Sequence, residues 1–236
     1  RVPADLSTGD EQIGMVALDL IFKTWPADKA AILVTTSLAS PVCARWFLED
    51  RFGIALIGTS GRGLKTEALK HALAVYGNGF MREKSLLRWG EGATGTAIQL
   101  IAAACGCLPT GIDNYKGTQK DGPSKFVSII HVLLEGRERE RANRNARLQD
   151  SKEHTTTLIV TGEDLPEEAS TMARLIPIEW STEPNKTNLT KLQEINKNLV
   201  AVGRMWCNYI SGINIDMDRW IEDRSKCSSD YHSFGK

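Results

Sequence analysis

Residues 52–66 read FGIALIGTSGRGLKT, and the pattern of this segment is the main indication of the fold. Phe52–Ile57 is a short, continuous apolar run, which is typical of a strand buried on both faces of a parallel sheet. A glycine-rich turn follows it, and residues 65–76 then have the pattern of a helix. Such a turn can direct backbone N–H groups at an anion, while the helix adds the positive end of its dipole. The stretch therefore predicts a phosphate-binding loop.

Two side chains at the end of the loop have the chemistry that a nucleotide needs. A lysine in this position reaches the β- and γ-phosphates and the next hydroxyl ligates Mg²⁺, and these are Lys65 and Thr66. Leu64 interrupts the usual pattern, in which the lysine directly follows the last glycine. A flexible glycine-rich connection with a solvated lysine is the alternative. The predicted ATP-binding residues are Gly58, Thr59, Ser60, Gly61, Arg62, Gly63, Leu64, Lys65 and Thr66.

A second short strand, predicted over residues 108–112, ends at Asp113. In phosphate-loop ATPases an aspartate at the end of a neighbouring strand holds the Mg²⁺, so Asp113 is the predicted partner of Thr66 in a metal site. An ordinary turn acid is the alternative. The following residue is Asn114, whose amide is no general base. Glu163 and Asp164, after a strand predicted at 156–161, are the nearest acids for positioning water, and Thr161 could sense the γ-phosphate.

Strands and helices alternate along most of the chain. Further strands are predicted at 85–89 and 175–180, and further helices at 93–105 and 124–134. This order predicts an α/β fold with a parallel sheet covered on both faces. An amphipathic helix is expected over 10–25, with Ile13, Val16, Leu20 and Ile21 at helical spacing, then two short helices separated by Pro41, and one long helix over 188–210. We expect an N-terminal helical segment (1–50), an ATPase core (51–182) and a C-terminal helix with a polar tail (183–236).

Composition excludes several classes of protein. The 236 residues include 29 Lys+Arg and 29 Asp+Glu, 42% are hydrophobic and 7% aromatic, which is a globular profile rather than a disordered or coiled-coil one. No apolar run is long enough for a membrane span and no signal peptide opens the sequence. The five cysteines are scattered and odd in number, which favours reduced thiols. The expectation is a cytoplasmic protein with no membrane partner.

Arginines are concentrated in residues 136–147, which read GRERERANRNAR. If the segment is extended, its period of two places Arg137, Arg139 and Arg141 on one side, where they could contact a nucleic-acid backbone. A solvated helix end with intrahelical ion pairs is an equal alternative. The predicted DNA-binding residues are Arg137, Arg139, Arg141, Arg144 and Arg147.

Taken in order, the segments GTSGRGLKTEALKHALAVYGNG, LPTGIDNYK, LLEGRERERANR, TLIVTGEDLP and MARLIPIEW resemble a known family. The chain is similar, over roughly residues 40–205, to the superfamily-3-like/AAA+ ATPase domain of phage and mobile-element primase-helicase proteins. The resemblance implies a RecA-like/AAA+ P-loop NTPase core, a homo-oligomeric ring, commonly hexameric, and ATP-driven movement on DNA.

The same resemblance assigns roles to individual residues. Lys65 and Thr66 match the phosphate-loop lysine and hydroxyl, and Asp113 matches the Mg²⁺-orienting acid. Thr161 lies near the sensor position with Glu163 beside it. Arg174 falls where such ATPases place an arginine that contacts the γ-phosphate, often of a neighbouring subunit, and a surface arginine at a strand entrance is the alternative. The implied function is an ATP- and Mg²⁺-dependent DNA helicase or translocase. A nucleotide-binding assembly module without turnover and a small-molecule kinase are the alternatives.

Overall fold

A computed structural model describes residues 4–46, 51–59, 61–82, 86–89, 94–117, 122–135 and 154–214 of the chain. In these ranges it contains a single parallel sheet and helices on both sides of it. The strands are β1 (Gly53–Ile57), β2 (Leu87–Arg88), β3 (Thr110–Tyr115), β4 (Leu158–Gly162) and β5 (Leu175–Glu179). The helices are α1 (Glu11–Thr24), α2 (Ala27–Trp46), α3 (Lys65–Leu73), α4 (Gly95–Cys105), α5 (Gly122–Glu135), α6 (Ala169–Met172), α7 (Lys186–Ile195) and α8 (Leu199–Gly212).

The strand order across the sheet is β2-β3-β4-β1-β5, and every neighbouring pair is parallel. Strand β4 therefore lies between β1, which leads into the glycine-rich loop, and β3, which carries Asp113. Because parallel strands end at the same edge of a sheet, these three strands bring their following residues together. The predicted α/β fold is confirmed.

Alternate residues of the strands face two separate hydrophobic cores, as the pleat of a β-strand requires. Ile54 and Leu56 face a core shared with α1, α2, α3 and α7. Ala55 between them faces a second core, shared with α4 and α5 and centred on Tyr115 and Phe126. Burial on both faces explains the continuous apolar run that marks β1 in the sequence.

The terminal helices differ from expectation in three places. Helix α1 forms as predicted, but Ile13 and Val16 are exposed, and the face towards the core consists instead of Gly14, Ala17, Ile21 and Thr24. A Cβ at Gly14 would come within 2.6 Å of the Asn198 carbonyl oxygen, so α1 packs closely through its small residues. The apolar spacing therefore identifies only part of the buried face, since Ile21 is buried and Leu20 packs against the core.

Pro41 does not divide two short helices, because it lies inside the single helix α2. A proline in a helix leaves the carbonyl four residues earlier without its N–H partner. That carbonyl belongs to Ser37, and the hydroxyl of Tyr76 donates to it at 3.0 Å. A buried side chain from another element thus replaces the lost backbone hydrogen bond, which the sequence around Pro41 cannot reveal.

The expected single helix over 188–210 is in fact two helices, α7 and α8, separated by a 3₁₀ turn at Asn196–Asn198. Asn198 stabilises the break, since its amide donates to the Ile195 carbonyl and its side-chain oxygen accepts the N–H of Asp10. Helix α1 packs against both α7 and α8. No helix in the described part of the chain is long and apolar enough to cross a membrane.

Candidate nucleotide site

The glycine-rich loop connects the end of β1 to the start of α3. Gly61 and Gly63 adopt positive φ values of 75° and 70°, which glycine reaches at little cost. Gly58 is needed for another reason, because a Cβ there would lie 2.8 Å from the carbonyl oxygen of Trp180. The glycines that predicted the loop therefore satisfy its backbone conformation and its close packing. Ser60, also predicted to bind ATP, lies outside the described residues.

The additional residue in the loop, Leu64, is accommodated by its backbone conformation. Leu64 has φ 47° and ψ 50°, the left-handed region, which costs a non-glycine residue about 1–2 kcal/mol. It caps α3 without a side-chain hydrogen bond, and the helix begins at Lys65. The irregular spacing thus still puts Lys65 and Thr66 in the first turn of the helix, at its positive end.

The ammonium group of Lys65 lies inside the loop. It donates to the carbonyl oxygens of Gly58 at 2.8 Å and of Thr59 at 3.0 Å, and the residue is 9% exposed. Burial lowers the pKa of Lys65, while the nearby carboxylates of Glu163 and Asp113 act in the opposite direction. This places a cation among backbone groups at a helix N-terminus, the environment that a phosphate group favours.

Two hydroxyl groups converge on one carboxylate oxygen. The Oγ1 atoms of Thr66 and Thr161 donate to Oδ1 of Asp113 at 2.8 Å and 2.6 Å, and Asp113 is 3% exposed. Thr161 reaches this position because β4 lies between β1 and β3. The structure therefore brings together Lys65, Thr66, Asp113 and Thr161, which lie far apart in the sequence.

Asn114 follows Asp113 in a bulge of β3 that interrupts the pairing with β4 between Ile112 and Tyr115. Its φ of 64° is left-handed, a conformation that asparagine adopts more readily than most residues. Its backbone N–H donates to the Thr161 hydroxyl at 3.1 Å. The predicted strand end at residue 112 is thus wrong, since β3 continues through Asp113 to Tyr115. The bulge fixes Thr161 and Asp113 relative to each other.

These groups line a cleft of about 390 Å³ at the carboxyl edge of the sheet. Glu163 also lines it, with its carboxylate 3.0 Å from the ammonium group of Lys116. Asp164 instead accepts the N–H of Gly117 at 2.8 Å. Sequence reasoning missed three residues of the cleft, which are Gly162 and the pair Glu67 and Lys70, whose side chains form an ion pair at 2.8 Å. Glu67 and Lys70 are three residues apart, and this spacing would have placed them on the same side of α3.

Arg174, predicted to contact the γ-phosphate, does not lie in the cleft of its own chain. It directly precedes β5 and its carbonyl accepts the N–H of Gly53, so it is at the amino edge of the sheet, about one strand length (~13 Å) from the loop. Its guanidinium donates to the Ser170 carbonyl at 2.8 Å and to the Glu135 carboxylate at 3.0 Å. The predicted DNA-binding arginines Arg137, Arg139, Arg141, Arg144 and Arg147 lie outside the described residues.

The donor set of the cleft fits a nucleotide with a divalent cation. Thr66 and Asp113 present hydroxyl and carboxylate oxygens, the ligand type that Mg²⁺ prefers when phosphates complete its coordination. Within the described residues, no group of three or more His, Cys, Asp or Glu side chains could hold a metal by itself. The protein side of the site therefore suits a cation that arrives with phosphates.

Comparison with known proteins adds the identity of the fold. No family model and no curated protein matches the sequence. A solved structure of an active helicase, SCCmec type IV Cch, aligns with a TM-score of 0.58 at 19% identity over 84% of this chain, which spans 37% of that protein's chain. Two structures of JCV helicase are more distant, with TM-scores of 0.49 and 0.47, identities of 9% and 10%, and coverage of 83% and 86% of this chain and 54% and 62% of theirs. The chain thus shares the α/β fold of the SCCmec type IV Cch structure, a fold that its sequence resemblance led us to expect.

Proposed function

We propose that the chain is an ATP- and Mg²⁺-dependent ATPase of the helicase or translocase type that acts on DNA in phage or mobile-element replication. One observation carries the proposal. Lys65, Thr66, Asp113 and Thr161 come from three separate segments, and each makes a hydrogen bond within one cleft at the carboxyl edge of the sheet. Ligands of open α/β sheets bind at this edge.

Each residue has a role that follows from its chemistry. Lys65 and the loop N–H groups bind the phosphates, and Thr66 and Asp113 hold the Mg²⁺, which neutralises charge on the phosphate oxygens when bound. The hydroxyl of Thr161, which donates to Asp113 in this structure, would donate to the γ-phosphate when ATP is bound. Glu163 orients the attacking water, because Asn114 cannot act as a base.

Arg174 acts on a second subunit in this proposal. Its place at the amino edge keeps it from the cleft of its own chain, while a guanidinium supplied by a neighbour would stabilise the charge of the transferring phosphoryl group. This requires a homo-oligomer, which we propose to be a ring.

Phosphate release from ATP tests the proposal, measured with Mg²⁺ and with or without single-stranded DNA. We expect DNA-stimulated release by the wild type and its loss in Lys65→Ala. Lys23→Ala is the matched control, because the ammonium group of Lys23 in α1 is exposed and forms an ion pair with Asp19. Lys65→Ala protein that hydrolyses ATP at the wild-type rate would contradict the assignment.

A second candidate function is an ATP-binding assembly module without turnover. It is favoured by Asn114 at the position where a second acid is common, and by the ion pair that engages Glu163 with Lys116. Tight ATP binding with no phosphate release, with and without DNA, would select it. Glu163→Gln separates the two functions, because it should reduce release by a motor and leave binding by an assembly module unchanged.

The arginine-rich segment provides a further test. Charge reversal of Arg137, Arg139 and Arg141 together should remove the stimulation by DNA from a DNA-coupled motor, because phosphate contacts dominate such binding. Basal hydrolysis without DNA should persist. A small-molecule kinase, which shares the loop chemistry, would show activity that is independent of both DNA and these arginines.

A further inference from the structure

The carbonyl oxygen of Gly63, directly before Leu64 in the loop, accepts two hydrogen bonds from side chains. The indole N–H of Trp25 donates to it at 3.0 Å and that of Trp180 at 2.9 Å. The two tryptophans are 3% and 2% exposed, so water does not compete for these bonds. A carbonyl oxygen has two lone pairs, and here both are used by tryptophans that the nucleotide chemistry does not require.

The two tryptophans, called here the tryptophan pair, come from distant parts of the chain. Trp25 ends α1 and Trp180 follows β5. Their rings lie 6.3 Å apart at an angle of 47°, and Trp25 also packs against His71 of α3, with ring centroids 5.9 Å apart. The tryptophan pair therefore connects the loop to α1 through Trp25 and to strand β5 through Trp180.

The backbone of Trp180 contacts the loop as well. Its N–H donates to the Ile57 carbonyl at 2.6 Å, and its carbonyl oxygen would lie 2.7 Å from a Cβ at Gly63 and 2.8 Å from one at Gly58. The loop thus rests on Trp180 with no intervening space. A substitution that keeps an aromatic ring at position 180 can preserve this packing while it removes the indole donor.

The loop needs such support because two consecutive residues are left-handed. Gly63 has φ 70° and Leu64 has φ 47°, and Leu64 has no side-chain hydrogen bond to hold it there. A leucine in this conformation is strained and persists only where its surroundings fix it. The Gly63 carbonyl is the group directly before Leu64, so fixing its direction fixes the peptide plane that sets the entry into α3.

We propose that Trp25 and Trp180 are positioning residues, which by sharing the Gly63 carbonyl hold the Leu64-containing loop so that Lys65 and Thr66 face the nucleotide. The proposal rests on the proposed nucleotide site. It extends that function, because it assigns to the N-terminal helix and to the residue after β5 a part in nucleotide affinity.

Trp→Phe substitutions test the sharing, since phenylalanine keeps an aromatic ring and lacks the N–H. Each single variant leaves the carbonyl one donor, so we expect the Kd for Mg·ADP to rise no more than about threefold in Trp25→Phe and in Trp180→Phe. The double variant leaves a buried carbonyl without either donor, and its Kd should rise about thirtyfold or more. The rise in Kd in the double variant would then exceed the product of the rises in the two single variants. Loss of a shared acceptor's two donors produces such coupling, whereas independent losses of packing do not produce it.

Trp206→Phe is the matched control. Its indole N–H also donates to a backbone carbonyl, that of Leu38 at 2.8 Å, on the helical side of the molecule and outside the cleft. We expect Trp206→Phe to leave the Kd for Mg·ADP unchanged when it is compared with the other variants under conditions in which all of them are folded. Double-variant affinity equal to the product of the single effects, or equal to that of the wild type, would overturn the proposal.

Amide hydrogen exchange of the nucleotide-free proteins covers two other outcomes. Exchange at Ala68, whose N–H donates to the Leu64 carbonyl at 3.0 Å, should accelerate at least tenfold in the double variant relative to Trp206→Phe, and no acceleration would overturn the positioning role. If the wild type binds no nucleotide, the proposed function fails, while the exchange result still decides whether the tryptophan pair holds the loop.

If the double variant does not fold, the indole N–H resonances of the wild type test the proposal instead. Those of Trp25 and Trp180, but not that of Trp206, should shift on addition of Mg·ADP, and an absence of shift would overturn the proposal.

Discussion

The two edges of the sheet both carry clusters of polar side chains, but the clusters differ in construction. At the carboxyl edge, Lys65, Thr66, Asp113 and Thr161 face a cleft, and their hydrogen bonds converge on buried groups. At the amino edge, Arg174 is half-buried and pairs with Glu135, whose carboxylate also lies 3.3 Å from the ring of His131. There the described side chains bond to each other, since His131 also lies 2.7 Å from the Ser170 hydroxyl.

The difference follows from the direction of the strands. Loops at the carboxyl edge of a parallel sheet gather the ends of several strands and the N-terminus of a helix, which favours an anion. The amino edge receives helix C-termini and offers no such field. A cluster there is therefore suited to contact another molecule rather than to enclose a small ligand, and this is why Arg174 is assigned to a neighbouring subunit in the proposed function.

Arg174→Ala should give the largest effect. We expect ATP hydrolysis by the assembled protein to fall about 10³-fold, with nucleotide affinity little changed, because an arginine supplied by a neighbour acts mainly in the transition state. Mixing Arg174→Ala protein with Lys65→Ala protein should restore part of the activity, since some interfaces then combine an intact loop with an intact arginine. Steady-state phosphate release measures both. A mixture no more active than its components would contradict action between subunits.

Asp113→Asn tests the cation site at the carboxyl edge of the sheet, and we expect the next largest effect on ATP hydrolysis. It removes the charge that holds the cation while keeping the shape, so we expect hydrolysis to fall about 10²-fold, a few kcal/mol of transition-state stabilisation. The Mg²⁺ concentration for half-maximal activity should also rise. Asp19→Asn, at an exposed aspartate of α1, is the control for an aspartate-to-asparagine change and should leave both quantities unchanged.

Two glycine-to-alanine substitutions in the loop separate the cost of backbone strain from the cost of close packing. Gly63→Ala should lower the free energy of unfolding by about 3 kcal/mol, because it combines a left-handed residue with overpacking against Trp180. Gly61→Ala has a similar φ and nothing within 4 Å of the added Cβ, so it should cost only about 1 kcal/mol. Urea denaturation measures both. Equal losses would show that backbone strain, rather than the contact with Trp180, limits the loop.

The smallest predicted effect concerns pH. His71 is fully buried beside Trp25, and its Nδ1 lies 2.8 Å from the Glu67 carbonyl, which can only accept, so Nδ1 carries the proton of a neutral ring. Burial lowers the pKa of His71 below its usual 6.5. The unfolded chain then binds more protons than the folded one as the pH falls through 6.5, so stability is full above this pH and is lost below it, by at most about 1.4 kcal/mol per pH unit. His71→Gln should have a flatter profile between pH 7.5 and 5.5 in thermal unfolding, and an unchanged slope would show that His71 does not titrate in this way.

Much of the fold could be predicted from local sequence. The apolar run of β1, the glycines of the loop and the alternation of strands and helices each reflect physics that acts over a few residues. The errors occurred where distant residues decide: the buried face of α1, the continuous helix through Pro41, and the break at Asn198 all depend on partners elsewhere in the chain. Local periodicity carries no information about such partners.

For the candidate site, the chemistry could be predicted from local sequence: a lysine and a hydroxyl after a glycine-rich turn, an aspartate on a second strand, and a threonine on a third. Their arrangement depends on the fold, because the order of strands in a sheet does not follow their order in the chain. The insertion of β4 between β1 and β3 brings Thr161 within 2.6 Å of Asp113. The packing of Trp25 and Trp180 on the Gly63 carbonyl gives the irregular loop its support, since these contacts join residues 38 and 117 positions away from it.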